Sequence, residues 1–371
     1  MAVIGLYVAW RYVARLALPR TSRWGLGLLV MGLILHYPIV SRFWGSMASP
    51  EVPRALLLVL GAGAIGVLIL AIFLLLRDLA GGVVWLMSRR AGRGLLSNRV
   101  LAHALAASAF ALSVIGTWQA VRVPSVHRIE LTLPGLAPSF DGYRIAHLTD
   151  IHASRLLQGP WIDAVVRETN ALDTDLIVIS GDTVDGSPQA RAADYPPLGR
   201  LAARDGVFAV SGNHEYYSGY LEWMSVFERL GFRMLVNTHA VVSRGGHALV
   251  VAGVPDQVAA RHGLPAPDVA AALAGKPADA AVILLDHRPA RAPENAGHDI
   301  DLQLSGHTHG GHAIGLDRLV ARFNRGYVSG LYEVGSMQLF VGNGAGLWPG
   351  FAVRLGKSSQ IVEITLRSSA R

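Results

Sequence analysis

The sequence predicts an α/β domain that follows an α-helical membrane region. Long apolar stretches are confined to the part of the chain before residue 124. From Tyr143 onward, short apolar runs alternate with helical stretches, a pattern that is typical of α/β folds. Five of these runs lead into Asp, Asn or His, and open sheets place ligands at the carboxyl ends of their strands. These observations predict both the fold class and the position of a functional site.

The composition separates the two regions. The chain has 371 residues, of which 51% are hydrophobic, and its mean hydropathy is +0.37. Both values are high for a soluble enzyme, and the excess lies almost wholly before residue 124. The remaining part, about 245 residues, is long enough to bury a full hydrophobic core.

The predicted transmembrane region, residues 1–122, contains about four apolar segments, at 3–18, 26–40, 55–76 and 100–121. The last two reach the roughly 20 residues that a transmembrane helix needs, and the second is at the short end of that range. Arg11 and Arg15 interrupt the first segment. We therefore expect it either to span the membrane or to lie in the interface as an amphipathic helix.

The distribution of arginine predicts the orientation of these segments. Arg20 and Arg23 lie between the first two segments, and the loop between the third and the fourth contains Arg89, Arg90, Arg93 and Arg99. The loop at 41–53 has only one arginine and one glutamate. Because positively charged loops stay in the cytoplasm, the chain after Val121 is expected outside it. The sequence thus predicts a multi-pass protein of the cell membrane with an extracytoplasmic C-terminal domain.

The charge balance argues against a nucleic-acid-binding protein. Residues 1–124 contain twelve arginines, no lysine and two carboxylates, a net charge of +10. Since the whole chain carries +7, the remainder carries −3, whereas a polyanion requires a basic surface. The absence of cysteine excludes disulfides, thiolate metal ligands and cysteine nucleophiles.

Residues 123–142 are predicted to connect the membrane region to the α/β domain, and they contain a strand-like piece at 129–133. The domain is expected to occupy residues 143–371. Its helical stretches are predicted at 161–172, 220–230 and 267–274, and several short strands are predicted within 327–366.

The five strand-like runs each lead into side chains that bind metal ions. The runs are Tyr143–Thr149, Leu176–Ser180, Val207–Ser211, Ala281–Asp286 and Ile300–Ser305. They lead into Asp150 and His152, Asp182, Asn213 and His214, His287, and finally His307 and His309. Oxygen and imidazole ligands without thiolates favour Mn, Fe or Zn. Two such ions can activate a water and stabilise the leaving oxygen of a phosphoryl group.

The ordered motifs D-x-H, G-D, G-N-H-E, H and G-H-x-H resemble the calcineurin-like metallophosphoesterase superfamily. The resemblance covers residues 143 to about 355. The Gly-His-Thr-His-Gly-Gly sequence and the segment Gly330-Leu331-Tyr332 are similar to its membrane-attached branch. This resemblance implies a four-layer sandwich, in which helices flank two mixed β-sheets.

The resemblance also implies residue roles for two divalent or trivalent metal ions. Asp150, His152 and His309 would hold the first ion, and Asn213, His287 and His307 the second. Asp182 would bridge the two ions. His214 would bind no metal but would protonate the leaving alcohol or stabilise the phosphoryl charge, and a metal-bridging hydroxide would attack phosphorus.

His287 has the weakest local support among the predicted ligands. The sequence around it, Asp286-His287-Arg288-Pro289, is also compatible with a simple loop. His298 is the alternative ligand, although it follows no apolar run. His147 lies within the first strand-like run and is expected to be a packed or rim histidine.

Four further residues are candidates for supporting roles or substrate contact. Asp185 and Glu215 are expected to orient imidazoles. His312 stands where the related branch has glutamine, which leaves a substrate contact open. Arg354 either binds a phosphate or pairs with a surface carboxylate. Asp256, by contrast, is expected to be a solvated loop residue.

These features predict a membrane-anchored, metal-dependent phosphoesterase that acts on a phosphodiester or pyrophosphate of an envelope or lipid-linked substrate. Its expected partners are that phosphate ester and the lipid bilayer, without nucleic acid. A sugar-nucleotide-lipid pyrophosphatase is an alternative, which would require the site to face the cytoplasm. A catalytically silent metal-binding membrane sensor or scaffold is an alternative from another class.

Overall fold

The computed structural model describes residues 1–369. This part of the chain divides into two compact units. The helical unit contains Met1–Gln119 together with Pro349–Leu355. The sheet unit contains Ala120–Trp348 and the chain from Gly356 onward.

Five α-helices precede the first strand within the described residues. They are α1 (Ala2–Arg11), α2 (Arg20–Phe43), α3 (Arg54–Met87), α4 (Arg89–Ser97) and α5 (Arg99–Val121). Three of these, α2, α3 and α5, are long and apolar enough to cross a membrane. The predicted segment 3–18 forms α1 and a 3-10 turn at Val13–Arg15, so its helix is shorter than a span.

A half-buried carboxylate explains the arginine that interrupts the first apolar segment. Asp78 on α3 forms an ion pair with Arg11 of α1 and another with Arg77, at 2.9 Å. The hydroxyl of Tyr7 also donates to Asp78, at 2.8 Å. Because each charge has a partner, these groups can lie between apolar helices at a reduced desolvation cost.

Twelve strands form the sheets within residues 1–369. They are β1 (Ser125–Leu133), β2 (Arg144–Leu148), β3 (Leu176–Ser180), β4 (Val207–Val210), β5 (Phe232–Met234), β6 (Thr238–Arg244), β7 (His247–Gly253), β8 (Ala281–Leu285), β9 (Leu302–Ser305), β10 (Gly330–Val334), β11 (Met337–Val341) and β12 (Gln360–Ser368). The helices of this unit are α6 (Gly159–Asn170), α7 (Asn213–Tyr217), α8 (Tyr220–Arg229), α9 (Val269–Leu273), α10 (Ala292–Asn295) and α11 (Leu316–Phe323).

Both sheets are mixed. The first has the strand order β1-β12-β2-β3-β4-β5, and the second has the order β10-β11-β9-β8-β7-β6. Strands β2 to β5 are parallel neighbours, as are β7, β8 and β9. The carboxyl ends of neighbouring parallel strands meet at one edge of each sheet. This arrangement positions the candidate site.

The main hydrophobic core contains buried side chains from both sheets. Ile145 and Val178 of the first sheet belong to the same cluster as Val251, Ile283 and Leu304 of the second. Every residue of β3 and β8 is buried, as expected for strands covered on both faces. A second cluster joins the other face of the second sheet to α9 and α10. The predicted fold, two mixed sheets flanked by helices behind an apolar helical region, is confirmed.

Three elements differ from the sequence-based expectation. The residues 123–142 contain β1, which pairs in parallel with β12 and so belongs to the first sheet. The hairpin of β6 and β7 was not predicted, although Gly245 and Gly246 form its two-residue turn with φ of +58° and +78°. Two consecutive glycines with positive φ are typical of such hairpins. Helix α11 was also missed.

Candidate metal centre

The predicted ligands follow strands that end at the same edge of their sheets. In the first sheet, Asp150 and His152 follow β2, Asp182 follows β3, and Asn213 begins α7 just after β4. In the second sheet, His287 follows β8, and the pair His307 and His309 follows β9. Seven side chains that are distant in sequence are therefore close in space.

The first cluster contains Asp150, His152 and His309, whose ligand atoms lie within 4.8 Å of one another. The Asp150 Oδ1 atom lies 3.6 Å from His309 Nε2 and 3.9 Å from His152 Nε2. All three side chains are buried. The buried His152 Nε2 has no hydrogen-bond partner within the described part of the chain, which is the arrangement that a bound metal ion would complete.

The second cluster contains Asp182, His287 and His307. The Asp182 Oδ2 atom lies 3.2 Å from His287 Nε2. Asn213 lines the same cleft as Asp182 and His307, and its buried Oδ1 finds no hydrogen-bond partner among residues 1–369. A buried, unpartnered amide oxygen beside two imidazoles and a carboxylate is a donor set that fits a divalent metal ion.

Asp182 faces both clusters. Its Oδ2 atom lies 3.8 Å from His152 Nε2 in the first cluster and 3.2 Å from His287 Nε2 in the second. Its Oδ1 atom accepts the backbone N–H of His214 at 2.8 Å, which fixes the carboxylate. Burial acts to raise the pKa of Asp182, but the neighbouring His287 and His214 hold that pKa well below its usual range. This carboxylate is therefore ionised.

The backbone at these residues adopts a conformation that L-residues rarely occupy. Six predicted site residues have φ between +50° and +68°: Asp150, His152, Asp182, His307, His309 and His312. Such strain costs about 1–3 kcal/mol for each residue and persists only where the surroundings enforce it. Glycines allow the close approach that this geometry needs. A Cβ atom added to Gly306, for example, would lie 2.2 Å from Asp150 Oδ2.

Asp185 orients two of the histidines. Its Oδ2 atom lies 3.1 Å from His152 Nδ1, and its Oδ1 atom lies 2.5 Å from His214 Nδ1. Burial acts to raise the pKa of Asp185, but the two histidines lower it below its ordinary value. The carboxylate thus directs Nε2 of His152 toward Asp150 and Asp182, as expected for a residue that orients imidazoles.

Glu215 has a different set of contacts from the one expected. Its Oε1 atom accepts the backbone N–H of Thr183 at 2.7 Å, and its Oε2 atom accepts that of Gly212 at 2.7 Å. The N–H groups of Asp182 and Val184 donate to it as well. Glu215 therefore joins the turn after β3 to the turn after β4, and it positions Asp182 through the backbone rather than through an imidazole.

His287 is held in one orientation by a backbone contact. Its Nδ1 atom lies 2.8 Å from the carbonyl oxygen of Ser180, so the ring donates there and turns Nε2 toward Asp182. His298, the alternative ligand, is exposed and lines a different surface cavity, together with Asn237. The structure therefore places His287, and not His298, beside the other predicted ligands.

An unpredicted pair of charged residues lies next to the second cluster. The Arg288 guanidinium donates to Asp256 Oδ2 at 2.6 Å and lies 2.9 Å from His307 Nε2. Asp256 is only 1% exposed, so the expectation of a solvated loop residue was wrong. Burial and the Arg288 charge hold the pKa of His307 well below its usual value, which keeps the ring neutral. A neutral imidazole is the form that binds metal.

The two clusters open into a cleft of about 360 Å³. Its lining includes His214, His312 and Trp348, and the rings of His214 and Trp348 are 6.1 Å apart. His147 is buried elsewhere and lies 2.8 Å from the Ser180 hydroxyl, as expected for a packed histidine. Arg354 is buried in the 349–355 segment of the helical unit.

Comparisons with known proteins identify the domain that carries this site. The calcineurin-like phosphoesterase family matches residues 143–311. An uncharacterized metallophosphoesterase of Campylobacter jejuni is 32% identical over 67% of this chain and 64% of its own length. A transmembrane protein with metallophosphoesterase domain from Bos taurus is 32% identical over 70% of this chain and 60% of its own length.

A protein of the same description from Danio rerio is 29% identical over 92% of this chain and 87% of its own length, so that similarity includes part of the helical unit. The chain spans about three fifths of the length of the first curated relatives that it matches. The chain therefore carries a calcineurin-like metallophosphoesterase domain, and its relatives include transmembrane proteins with the same domain.

Proposed function

We propose that this protein is a membrane-anchored phosphoesterase that uses two metal ions to hydrolyse a phosphodiester or pyrophosphate. The observation that carries the proposal is the position of Asp182, whose carboxylate lies between two clusters of imidazole and carboxylate groups. A shared anionic ligand reduces the repulsion between two adjacent cations. The family match supports the reaction class, since calcineurin-like phosphoesterases are metallophosphoesterases by name.

The proposed ligands follow the two clusters. Asp150, His152 and His309 would hold one ion. Asn213, His287 and His307 would hold the other, and Asp182 would bind both. The donor set contains oxygen and imidazole nitrogen without a thiolate, which favours Mn, Fe or Zn. When bound, two ions would polarise the phosphoryl group and lower the pKa of a bound water.

His214 is proposed to act as the general acid. Its Nδ1 atom contacts Asp185, and its ring lies 4.6 Å from the ring of His152, within the lining of the cleft. Burial opposes the charged ring, but the carboxylates of Asp182 and Asp185 raise the pKa of His214 to about 9. These carboxylates favour the protonated ring, which is the form that can donate a proton to the leaving oxygen.

A lipid-linked or envelope phosphate ester is the proposed substrate class. Three residues separate Val121, which ends the apolar helix α5, from Ser125, which begins β1. If α5 crosses a membrane, this short connection keeps the phosphoesterase domain near the lipid surface. Relatives named transmembrane proteins support the membrane anchor.

The reaction is tested with the purified full chain after its metals are removed. We expect added Mn, Zn or Fe to restore hydrolysis of bis-p-nitrophenyl phosphate or p-nitrophenyl phosphate. Asp182→Ala should abolish it and His214→Ala should lower it, whereas the exposed His298→Ala should retain it. Bound metal without turnover of either ester would instead support the sensor or scaffold.

The domain is proposed to face outside the cytoplasm, because the arginine-rich loops are expected inside. The chain has no cysteine, so single cysteines report their own accessibility. We expect a membrane-impermeant maleimide to label Ser243→Cys in the sheet unit of intact cells, but not Ser97→Cys at the end of α4. The opposite labelling would place the domain in the cytoplasm and favour the sugar-nucleotide-lipid pyrophosphatase.

A further inference from the structure

Helix α11 is an unusual element of the sheet unit, because none of its eight residues is buried. Leu319 is 51% exposed and Phe323 is 79% exposed, and Ile314 just before the helix is 75% exposed. Surface helices normally bury an apolar face against the domain. Leu316 and Val320 are half-buried, whereas Leu319 and Phe323 are left largely exposed by the described residues.

The sequence of α11 separates apolar and charged side chains onto opposite faces. Leu316, Leu319, Val320 and Phe323 have the spacing i, i+3, i+4 and i+7, so they share one face of the helix. Arg318 and Arg322 are four residues apart and lie on the opposite face. A short helix with arginines on one face and Leu or Phe on the other is typical of segments that lie in a membrane interface.

The charges on and near α11 match an anionic lipid surface. Arg318 and Arg322 are exposed, and within residues 1–369 no carboxylate forms an ion pair with either. The nearby acidic groups are neutralised elsewhere, since Asp317 pairs with Lys357 and Glu294 pairs with Arg325. Two unpaired guanidinium groups beside an apolar face would attract phosphate headgroups.

The apolar face continues into the candidate metal centre. Val320 and Phe323 line the same cleft as Asp182, His307 and His309. An amphiphile whose tail lies along this face would therefore place its polar head beside the predicted ligands. The apolar side chains of α11 and the predicted metal ligands therefore line the same cleft.

We propose that α11 inserts its apolar face into an anionic lipid surface, and that the substrate of the adjacent centre is a phosphate ester with a lipid tail. The second part of this proposal rests on the proposed phosphoesterase function, whereas the first part does not. The occupant of the apolar face is the bilayer, rather than a second copy of the chain or another protein.

The insertion is tested by fluorescence quenching in the full chain, reconstituted in phosphatidylglycerol nanodiscs. Since the chain has no cysteine, Leu319→Cys and Ala321→Cys can each carry a single NBD label, on the apolar face and away from it. We expect lipids with a nitroxide in the acyl chain to quench the label at 319 at least threefold more than the label at 321. Equal quenching at the two positions overturns the proposal. So does a label at 319 that is shielded from aqueous iodide but not quenched by lipid, because protein would then cover the face.

A charge-reversal variant tests the headgroup contribution. Arg318→Glu combined with Arg322→Glu should reduce the quenching at 319 in phosphatidylglycerol, with a smaller change in phosphatidylcholine. The same loss in both lipids would mean that the arginines do not recognise anionic headgroups, and it would overturn that part of the proposal.

The substrate class is tested with two esters. Leu319→Ser should lower the hydrolysis of hexadecyl p-nitrophenyl phosphate in nanodiscs at least fivefold, with bis-p-nitrophenyl phosphate unaffected. If Leu319→Ser hydrolyses both esters at the wild-type rates, the lipid-tail assignment is contradicted, while the phosphoesterase function stands. If the wild type hydrolyses neither ester, the proposed function fails, and the quenching result alone decides whether α11 inserts.

Discussion

The two sides of the cleft differ in how far their side chains are buried and held in place. On one side, the predicted ligands and Asp185 are mostly buried, strained at several backbone positions, and fixed by hydrogen bonds. On the other side, α11 contains no buried residue and presents Leu319 and Phe323 to solvent. The difference indicates a division of roles. The rigid side is suited to chemistry, and the apolar side is suited to contact with a lipid surface.

The largest effect is expected on the rigid side, from Asp182→Ala. Because Asp182 faces both clusters, its loss should disrupt both proposed metal sites, and activity should fall at least about 1,000-fold. Steady-state assays and metal analysis of the same sample measure this. Asp299→Ala is the matched control, since that carboxylate is 83% exposed and its ion pair contributes little. Near-normal activity with Asp182→Ala would contradict the bridging role.

His214→Ala should produce the next largest loss. Removal of a general acid typically lowers kcat by about 100- to 10,000-fold, and the metal content should remain normal because His214 is not a proposed ligand. The loss should be smaller for an ester with an activated leaving group such as p-nitrophenolate, since it needs less protonation. An equal loss of activity for esters with poor and good leaving groups would indicate that His214 does not act as a general acid.

Asp185→Asn should have an intermediate effect. The two histidines contact different oxygens of Asp185, and the amide of asparagine replaces one of these acceptors with a donor nitrogen, so one of the two contacts is lost. Loss of such an orienting carboxylate typically costs about 10- to 100-fold in metal affinity or activity. Metal titration and kinetics separate these two effects. Asp268→Asn is the control, because asparagine also caps a helix, as Asp268 does for α9. Wild-type metal affinity and kinetics in Asp185→Asn would show that one acceptor oxygen is enough to orient the two histidines.

Glu215→Gln should affect stability more than chemistry. Each carboxylate oxygen accepts two backbone N–H groups, whereas the amide nitrogen of glutamine would face one pair without accepting from it. Leaving buried donors unpaired costs about 1–3 kcal/mol of unfolding free energy. Thermal unfolding of the sheet unit should therefore shift to lower temperature. Glu222→Gln, at an exposed position, should cause no shift. An unchanged unfolding temperature in Glu215→Gln would contradict the structural role of Glu215.

The smallest stability effect is expected on the apolar side. Leu319→Ser removes an apolar side chain that is already 51% exposed, so the unfolding free energy should change by less than about 0.5 kcal/mol. A matched Leu304→Ser change in the buried β9 strand should be strongly destabilising. If Leu319→Ser were as destabilising as Leu304→Ser, α11 would be a packed element rather than a free surface.

The strand ends could be predicted because the relevant signals are local in sequence. A run of apolar residues followed by Asp, Asn or His indicates both a strand and the edge that it ends on. His287 needed the order of the other motifs, because nothing beside it in sequence specifies its contact with Ser180, more than one hundred residues away. The predicted orienting role of Asp185 agrees with its contacts. It could be predicted for the same reason as the ligands, because Asp185 follows the turn after β3.

The contacts that escaped prediction depend on tertiary structure. Asp256 reads as a loop residue, and its burial follows from pairing with Arg288, 32 positions later. Glu215 contacts backbone amides, which have no sequence signature. Helix α11 is different, because its spacing of Leu316, Leu319, Val320 and Phe323 is visible in the sequence. Its eight residues are short for a helix, and no element was predicted there from the sequence.

The central claim is that one carboxylate, Asp182, holds two metal ions in one catalytic site. The most direct measurement is the metal content of the full chain, wild type and Asp182→Ala, by inductively coupled plasma mass spectrometry after loading with a single metal. The account predicts about two metal ions in an active wild type and at most one in an inactive variant. An active wild type with a single ion, or a variant that keeps two ions and hydrolyses at the wild-type rate, would contradict it.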